Sequence, residues 1–141
     1  MPINFFTSGY NYTLPQKRVK KLWIHDVITS AKKEVGTINF IFTSEDEILR
    51  INKEFLKHNF FTDIITFPYN EMDFISADLY ISVPTVIHNA KKFNQTFENE
   101  LNRVMVHGVL HLIGFDDKIE KDQIVMREQE NFWLSKLNIP Q

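Results

Sequence analysis

A helix predicted over residues 97–113 constrains the fold of this chain more than any other segment. Its apolar residues recur at helical spacing: Leu101, Val104, Met105, Val109, Leu110 and Leu112. They leave almost no polar face, so we expect the helix to be buried on nearly every side. Other parts of the chain must therefore pack around it.

The segments before and after this helix predict an α+β fold. Runs of β-branched and aromatic residues predict strands at 3–6, 37–43, 63–67 and 74–82. Helical spacing predicts helices after Pro15, Ser44 and Ser82 and from about Ile119 to Leu137, with Gly36 as the C-terminal cap of the first. Strands come early and helices late, which is typical of α+β proteins.

Length and composition limit what this fold does. The 141 residues are 43% hydrophobic and include no cysteine, so we expect one domain over 1–141 without disulfides. Any metal must be held by His, Asp or Glu. The net charge of −2 gives no electrostatic argument for nucleic acid. The sequence shows no signal peptide and no membrane span, so a soluble, cytoplasmic protein is expected.

His107 and His111 lie four residues apart on the predicted helix, so their imidazoles share one face and can point at one ion. Imidazoles on an apolar helix need polar partners, because an unsatisfied buried polar group costs about 1–3 kcal/mol. A shared metal meets that need, and hydrogen bonds to carbonyl or carboxylate groups meet it equally well. Gly108 stands where zinc proteases carry their general-base glutamate, which argues against that class.

The stretch HGVLHLIGFDD, residues 107–117, resembles the signature H-G-x-L-H-L-x-G-[YF]-D-H of the YbeY family of bacterial rRNA maturation factors and single-strand endoribonucleases. Other segments resemble the same family in the same order. They are INKEFLKHNFFTDIITFP (51–68), SADLYIS (76–82), ELNRVMVHGVLH (100–111) and MREQENFWL (126–134). The resemblance therefore covers most of the chain.

The resemblance implies a small mixed four-stranded sheet packed by about five helices, with a metal cleft at the helix that carries the histidine pair. It implies one Zn²⁺ per chain and metal-dependent hydrolysis of RNA phosphodiester bonds, in processing of the 3′ end of small-subunit rRNA and in ribosome maturation. The implied partners are rRNA and the small ribosomal subunit, with no DNA and no membrane. Two alternatives stay open: a ribosome-assembly binding protein with a structural metal, and a metal-dependent hydrolase of a small substrate.

Two departures from the family pattern touch the site. The family's third zinc histidine falls at Asp117, and its arginine falls at Leu56. A carboxylate is an acceptable zinc ligand, so His107, His111 and Asp117 are the predicted metal ligands, which act in catalysis through the metal. Asp117 also fits the N-cap of the last helix. If Asp117 caps the helix, either Asp116 is the third metal ligand or no carboxylate binds the metal.

Further candidates are contacts to RNA. Lys57 and His58 are the basic residues beside Leu56. Thr62 and Asp63 match a Thr-Asp pair of the family at the start of a strand, and they predict either a cleft wall near the metal or a turn cap. The basic run KRVKK (17–21) predicts either a stripe that contacts phosphate or a solvated helix face.

Overall fold

The computed structural model describes residues 2–57 and 62–137. In these ranges the elements are β1 Ile3–Ser8, α1 Lys17–Ser30, β2 Glu34–Thr43, α2 Glu45–Phe55, β3 Ile64–Pro68, β4 Phe74–Ser82, α3 Val83–Lys92, α4 Phe97–Leu112 and α5 Glu120–Lys136. The strands form one sheet in the order β1-β2-β4-β3, with β3 antiparallel to β4 and the other pairs parallel. The predicted α+β fold, with a mixed four-stranded sheet and five helices, is confirmed. None of the described helices has the length and apolar character to cross a membrane.

Helix α4 packs against α1, α3 and α5 and against the strands β3 and β4. It comes closest to the sheet at Gly108, where a Cβ atom would lie 2.6 Å from Cδ2 of Leu79 and 2.7 Å from Cδ1 of Ile64. Side chains at that position would overlap the core. The glutamate of a zinc protease therefore has no room there, in agreement with the sequence argument.

One face of α4 departs from the expectation of a helix buried on nearly every side. Arg103, His107 and His111 follow one another at intervals of four residues, and their side chains are 18%, 25% and 32% exposed. This spacing places them in one narrow stripe along the helix. The stripe is not evident from the sequence, because apolar residues flank it on both sides and make the whole helix look apolar. The two histidines are thus accessible from solvent.

Hydroxyl side chains cap the N-termini of α2, α3 and α4, whereas α1 and α5 begin without a side-chain cap. The hydroxyls of Ser44 and Ser82 accept the backbone N–H groups of Glu47 and Thr85, as predicted for α2 and α3. After α4, Gly114 turns the chain with a φ of 112°, which suits glycine. The prediction for Gly36 was wrong. It lies inside β2, and Lys32, with a φ of 60°, turns the chain after α1.

In the basic run 17–21, Lys17 and Arg18 are exposed, which agrees with either interpretation, but Lys20 fits neither. Its side chain is fully buried, and its Nζ atom lies 3.0 Å from Oε2 of Glu98, which is at the start of α4. The ammonium group therefore joins α1 to α4. It is available neither to phosphate nor to solvent.

Candidate metal centre

Three side chains converge at the C-terminal end of α4. Nε2 of His111 lies 3.0 Å from Nε2 of His107 and 3.4 Å from Oδ2 of Asp117, and Nε2 of His107 lies 3.2 Å from the same oxygen. The helix supplies the two imidazoles one turn apart. The loop that follows Gly114 brings the carboxylate back to them. Three atoms of the kind that bind metal ions thus face a single point.

The spacing of these atoms fits a zinc ion. Zinc binds imidazole nitrogen and carboxylate oxygen at about 2.0–2.2 Å in tetrahedral geometry, which places neighbouring ligand atoms roughly 3.3–3.5 Å apart. The observed separations of 3.0–3.4 Å lie close to that value. Among the described residues, one group of three or more acidic, histidine or cysteine side chains converges in this way, and it consists of His107, His111 and Asp117. Two imidazoles with one carboxylate are also a donor set that zinc accepts.

Glu130 on α5 holds the other side of the His107 ring. Its Oε2 atom lies 2.7 Å from Nδ1 of His107, and its Oε1 atom accepts a hydrogen bond from Arg103 at 2.9 Å. Arg103 also donates to Oδ1 of Asn131 at 2.9 Å. A carboxylate accepts hydrogen bonds, so Nδ1 of His107 is the donor to Glu130, and Nε2 is the ring nitrogen that faces Asp117. A metal-binding histidine commonly has such a partner.

The charges around this pair set its protonation. Burial by itself raises the pKa of Glu130, but the hydrogen bonds from His107 and Arg103 outweigh burial and lower it. Burial by itself lowers the pKa of His107, but the hydrogen bond to Glu130 and the nearby carboxylates outweigh burial and raise it. Glu130 is therefore a charged carboxylate at neutral pH. It fixes the orientation of the His107 ring, and Arg103 in turn holds Glu130 in place.

Asp117 does not cap the last helix, so that alternative was wrong. Helix α5 begins at Glu120, its N-cap residue is Ile119, and no side chain bonds its first turn. The neighbouring Asp116 is exposed, and its Oδ1 atom accepts the backbone N–H of Asp117 at 2.8 Å. Asp116 thus braces the loop, whereas Asp117 points toward the histidines.

An open cleft of about 650 Å³ lies between His107 and α5. Its lining combines the metal-centre residues with one face of α5: His107, Asp117, Glu120, Gln123, Ile124, Met126, Arg127, Glu128 and Glu130. The side chain of Asp117 is 38% exposed. A ligand in the cleft therefore has direct access to the point where the three ligand atoms converge.

A second cavity of about 320 Å³ also reaches His107, and it contains Asp63. The carbonyl of Asp63 accepts the backbone N–H of Ser82 at 2.9 Å, which holds the residue at the start of β3. Burial raises the pKa of the Asp63 carboxyl, and His107 only partly offsets this effect. Burial likewise raises the pKa of Glu100 in the same cavity. The structure thus brings Asp63 close to the candidate metal centre.

The other candidate RNA contacts lie elsewhere. Thr62 is half-buried, and its hydroxyl donates to the carbonyl of Ile64 at 3.4 Å, a local turn contact. Leu56 and Lys57 are exposed at the end of α2, and neither lines the two cavities around His107. His58 lies outside the described residues.

Sequence reasoning gave no role to Glu130 or Arg103. Both lie in segments that carry the resemblance, and Arg103 precedes His107 by one helical turn on the same face. That spacing is the signal that marks Arg103. Glu130 follows His107 by 23 residues on another helix, so the packing of α5 on α4 is needed to bring them together.

Comparisons with known proteins identify the family of this chain. The family model described as endoribonuclease YbeY matches residues 9–138. Proteins named endoribonuclease YbeY from Azobacteroides pseudotrichonymphae and Phocaeicola vulgatus are each 42% identical over 137 residues, which cover 97% of this chain and 99% of the relative. The solution structure of TM1509 from Thermotoga maritima superposes with a TM-score of 0.66 at 29% identity, over 96% of this chain and 88% of that one.

Proposed function

The chain belongs to the endoribonuclease YbeY family, and from that premise we propose that it is a zinc-dependent endoribonuclease. His107, His111 and Asp117 are its metal ligands and serve catalysis through the metal. The observation that carries the proposal is the convergence of their three ligand atoms within 3.4 Å beside an open cleft. Zinc, when bound, supplies Lewis acidity toward a phosphodiester and makes water more acidic.

The chain's own residues prepare that chemistry. Glu130 retains the proton on Nδ1 of His107, so that Nε2 offers its lone pair to the ion. Arg103 donates a hydrogen bond to Oε1 of Glu130 and so holds the carboxylate in place against the imidazole of His107. The cleft beside His107 and Asp117 would give a strand of RNA access to the ion. Asp63, in the adjoining cavity, forms a wall beside His107.

Asp117 changes the strength of the centre relative to three histidines. A carboxylate is anionic, whereas an imidazole is neutral, so an ion held by Asp117 and two histidines would keep less net positive charge than one held by three histidines. It would therefore make water less acidic than a three-histidine centre does. Cleavage is expected to be weak, with an optimum displaced toward higher pH.

We assign the substrate to rRNA, specifically the 3′ end of small-subunit rRNA, and the small ribosomal subunit as the partner in the cytoplasm. Membership in a family named for endoribonuclease activity supports this assignment. In cells that lack the protein, precursors with extended 3′ ends should accumulate. Wild-type protein should remove them, and His111→Ala should not.

Cleavage of single-stranded RNA with and without a chelator tests the activity. Wild-type protein should cut the RNA, lose activity in chelator and recover it when zinc is added. His111→Ala should be inactive, while His88→Ala, an exposed histidine on α3, should match wild type. Cleavage that survives both chelation and His111→Ala contradicts the proposal.

A further inference from the structure

The cleft beside the metal centre is acidic, although RNA is a polyanion. Four carboxylate residues line it: Asp117, Glu120, Glu128 and Glu130. Asp117 binds the ion in our proposal, and Glu130 is compensated by His107 and Arg103. Glu120 and Glu128 are exposed and repel phosphate. Among the described residues that line this cleft, Arg127 is the one lysine or arginine.

Arg127 forms an ion pair with Glu130 but no hydrogen bond to it. Its guanidinium lies 3.7 Å from Oε1 of Glu130, beyond hydrogen-bond distance, and that oxygen already accepts from Arg103 at 2.9 Å. The other oxygen of Glu130 is held by His107 at 2.7 Å. The side chain of Arg127 is 64% exposed. Its donors therefore face the cleft with no hydrogen-bond partner among the described residues.

Arg127 also lies at the junction of the two cavities. It lines the 650 Å³ cleft and the 320 Å³ cavity, and His107 and Glu130 line both as well. A guanidinium presents several N–H donors in a planar fork that matches two oxygens of a phosphate group. This placement suits a phosphate that enters next to the metal centre.

We propose that Arg127 binds a backbone phosphate of single-stranded RNA in the cleft beside His107. The inference rests on the proposed function and adds a substrate-binding residue to it. The contact is with phosphate, so it carries no sequence preference. Arg127 acts on substrate binding and leaves the zinc ligands as they are.

The test is RNA binding by zinc-free protein in chelator, where no cleavage occurs. A fluorescein-labelled single-stranded RNA oligonucleotide is titrated by anisotropy at several salt concentrations. Arg127→Ala should weaken binding roughly three- to tenfold at low salt, with equal loss across sequences. The slope of log affinity against log salt should fall by about 0.7, as expected for one lost phosphate contact to a single strand. Arg127→Lys should keep the wild-type slope.

Arg50→Ala is the matched control, because Arg50 is an exposed arginine on α2 that pairs with Glu47 and Glu54 and lines neither cavity. It should bind RNA as wild type does. Zinc affinity of Arg127→Ala should stay within about twofold of wild type, since an exposed ion pair contributes little. An unchanged affinity and slope in Arg127→Ala, or an equal loss in Arg50→Ala, overturns the inference. If wild-type protein neither binds nor cuts RNA, the proposed function is wrong. If wild-type protein cuts RNA and Arg127→Ala binds RNA as tightly as wild type, the inference alone is wrong.

Discussion

Nδ1 of His107 lies 2.7 Å from Oε2 of Glu130, a carboxylate that is 7% exposed and held on its other oxygen by Arg103. This contact joins α5 to α4 at the candidate metal centre. It fixes which nitrogen of the imidazole carries the proton and how the ring is turned. The candidate metal centre therefore depends on a residue outside the proposed ligand set.

Glu130→Gln tests that dependence. The amide removes the negative charge and presents an N–H₂ group to one of its two neighbours, so the ring of His107 loses its fixed acceptor. Zinc should bind about 10- to 100-fold more weakly, measured by competition with a chelating dye. Glu128→Gln, an exposed position on the same helix, is the control and should bind zinc as wild type does. Equal affinities in the two variants would contradict this role of Glu130.

Zinc should stabilise the folded protein. A ligand that binds only the folded state adds about 2.7 kcal/mol to the free energy of unfolding at a free concentration 100 times its dissociation constant. The melting temperature of wild type should rise with added zinc and fall in chelator. His88→Ala should respond in the same way and His111→Ala should not. A shift that persists in His111→Ala places the ion elsewhere.

The ion pair between Lys20 and Glu98 should respond unequally to loss of either partner. Lys20 is fully buried, while the Glu98 side chain is 30% exposed. Glu98→Gln leaves a buried ammonium without its counter-charge and should cost about 3 kcal/mol. Lys20→Met leaves a carboxylate that reaches water and should cost about 1 kcal/mol. Urea unfolding measures both, and equal losses would contradict the burial argument.

Stability of the zinc-free protein should depend on pH through Glu100. Burial raises its pKa in the folded state, and Asp63 adds to the effect while Arg103 opposes it. The folded state therefore holds this proton more tightly than the unfolded state, so stability is lost as pH rises from the ordinary pKa of a glutamate through the raised one. Glu100→Gln should be more stable than wild type at neutral pH, and the difference should vanish in acid.

Glu128→Gln supplies the comparison for that experiment, because its carboxyl is exposed on α5. Its melting temperature should follow wild type across the pH range. A Glu100→Gln variant with no gain at neutral pH would show that the buried carboxyl carries no penalty.

The sequence predicted features that depend on local spacing. The histidine pair is one, since residues four apart on a helix always share a face. The serine caps at Ser44 and Ser82 are another, because a cap bonds a backbone group three residues away. Both follow from helix geometry alone.

Features that depend on distant partners could not be predicted in this way. Lys20 is buried because Glu98, 78 residues later, meets it across the α1–α4 contact. Asp117 matched a capping pattern, yet α5 begins at Glu120 and the loop directs Asp117 toward His111. Each outcome was set by how helices pack, which apolar spacing does not specify.

The zinc affinity of Asp117→Asn decides whether Asp117 is the third metal ligand. Asparagine keeps the size of the side chain but replaces an anionic oxygen with a weaker neutral donor. Wild type should bind one equivalent, Asp117→Asn should bind at least about tenfold more weakly, and Asp117→His should restore tight binding. Asp116→Asn should match wild type, because its side-chain oxygen still accepts the same backbone N–H. An Asp117→Asn variant that binds zinc as tightly as wild type would contradict the account.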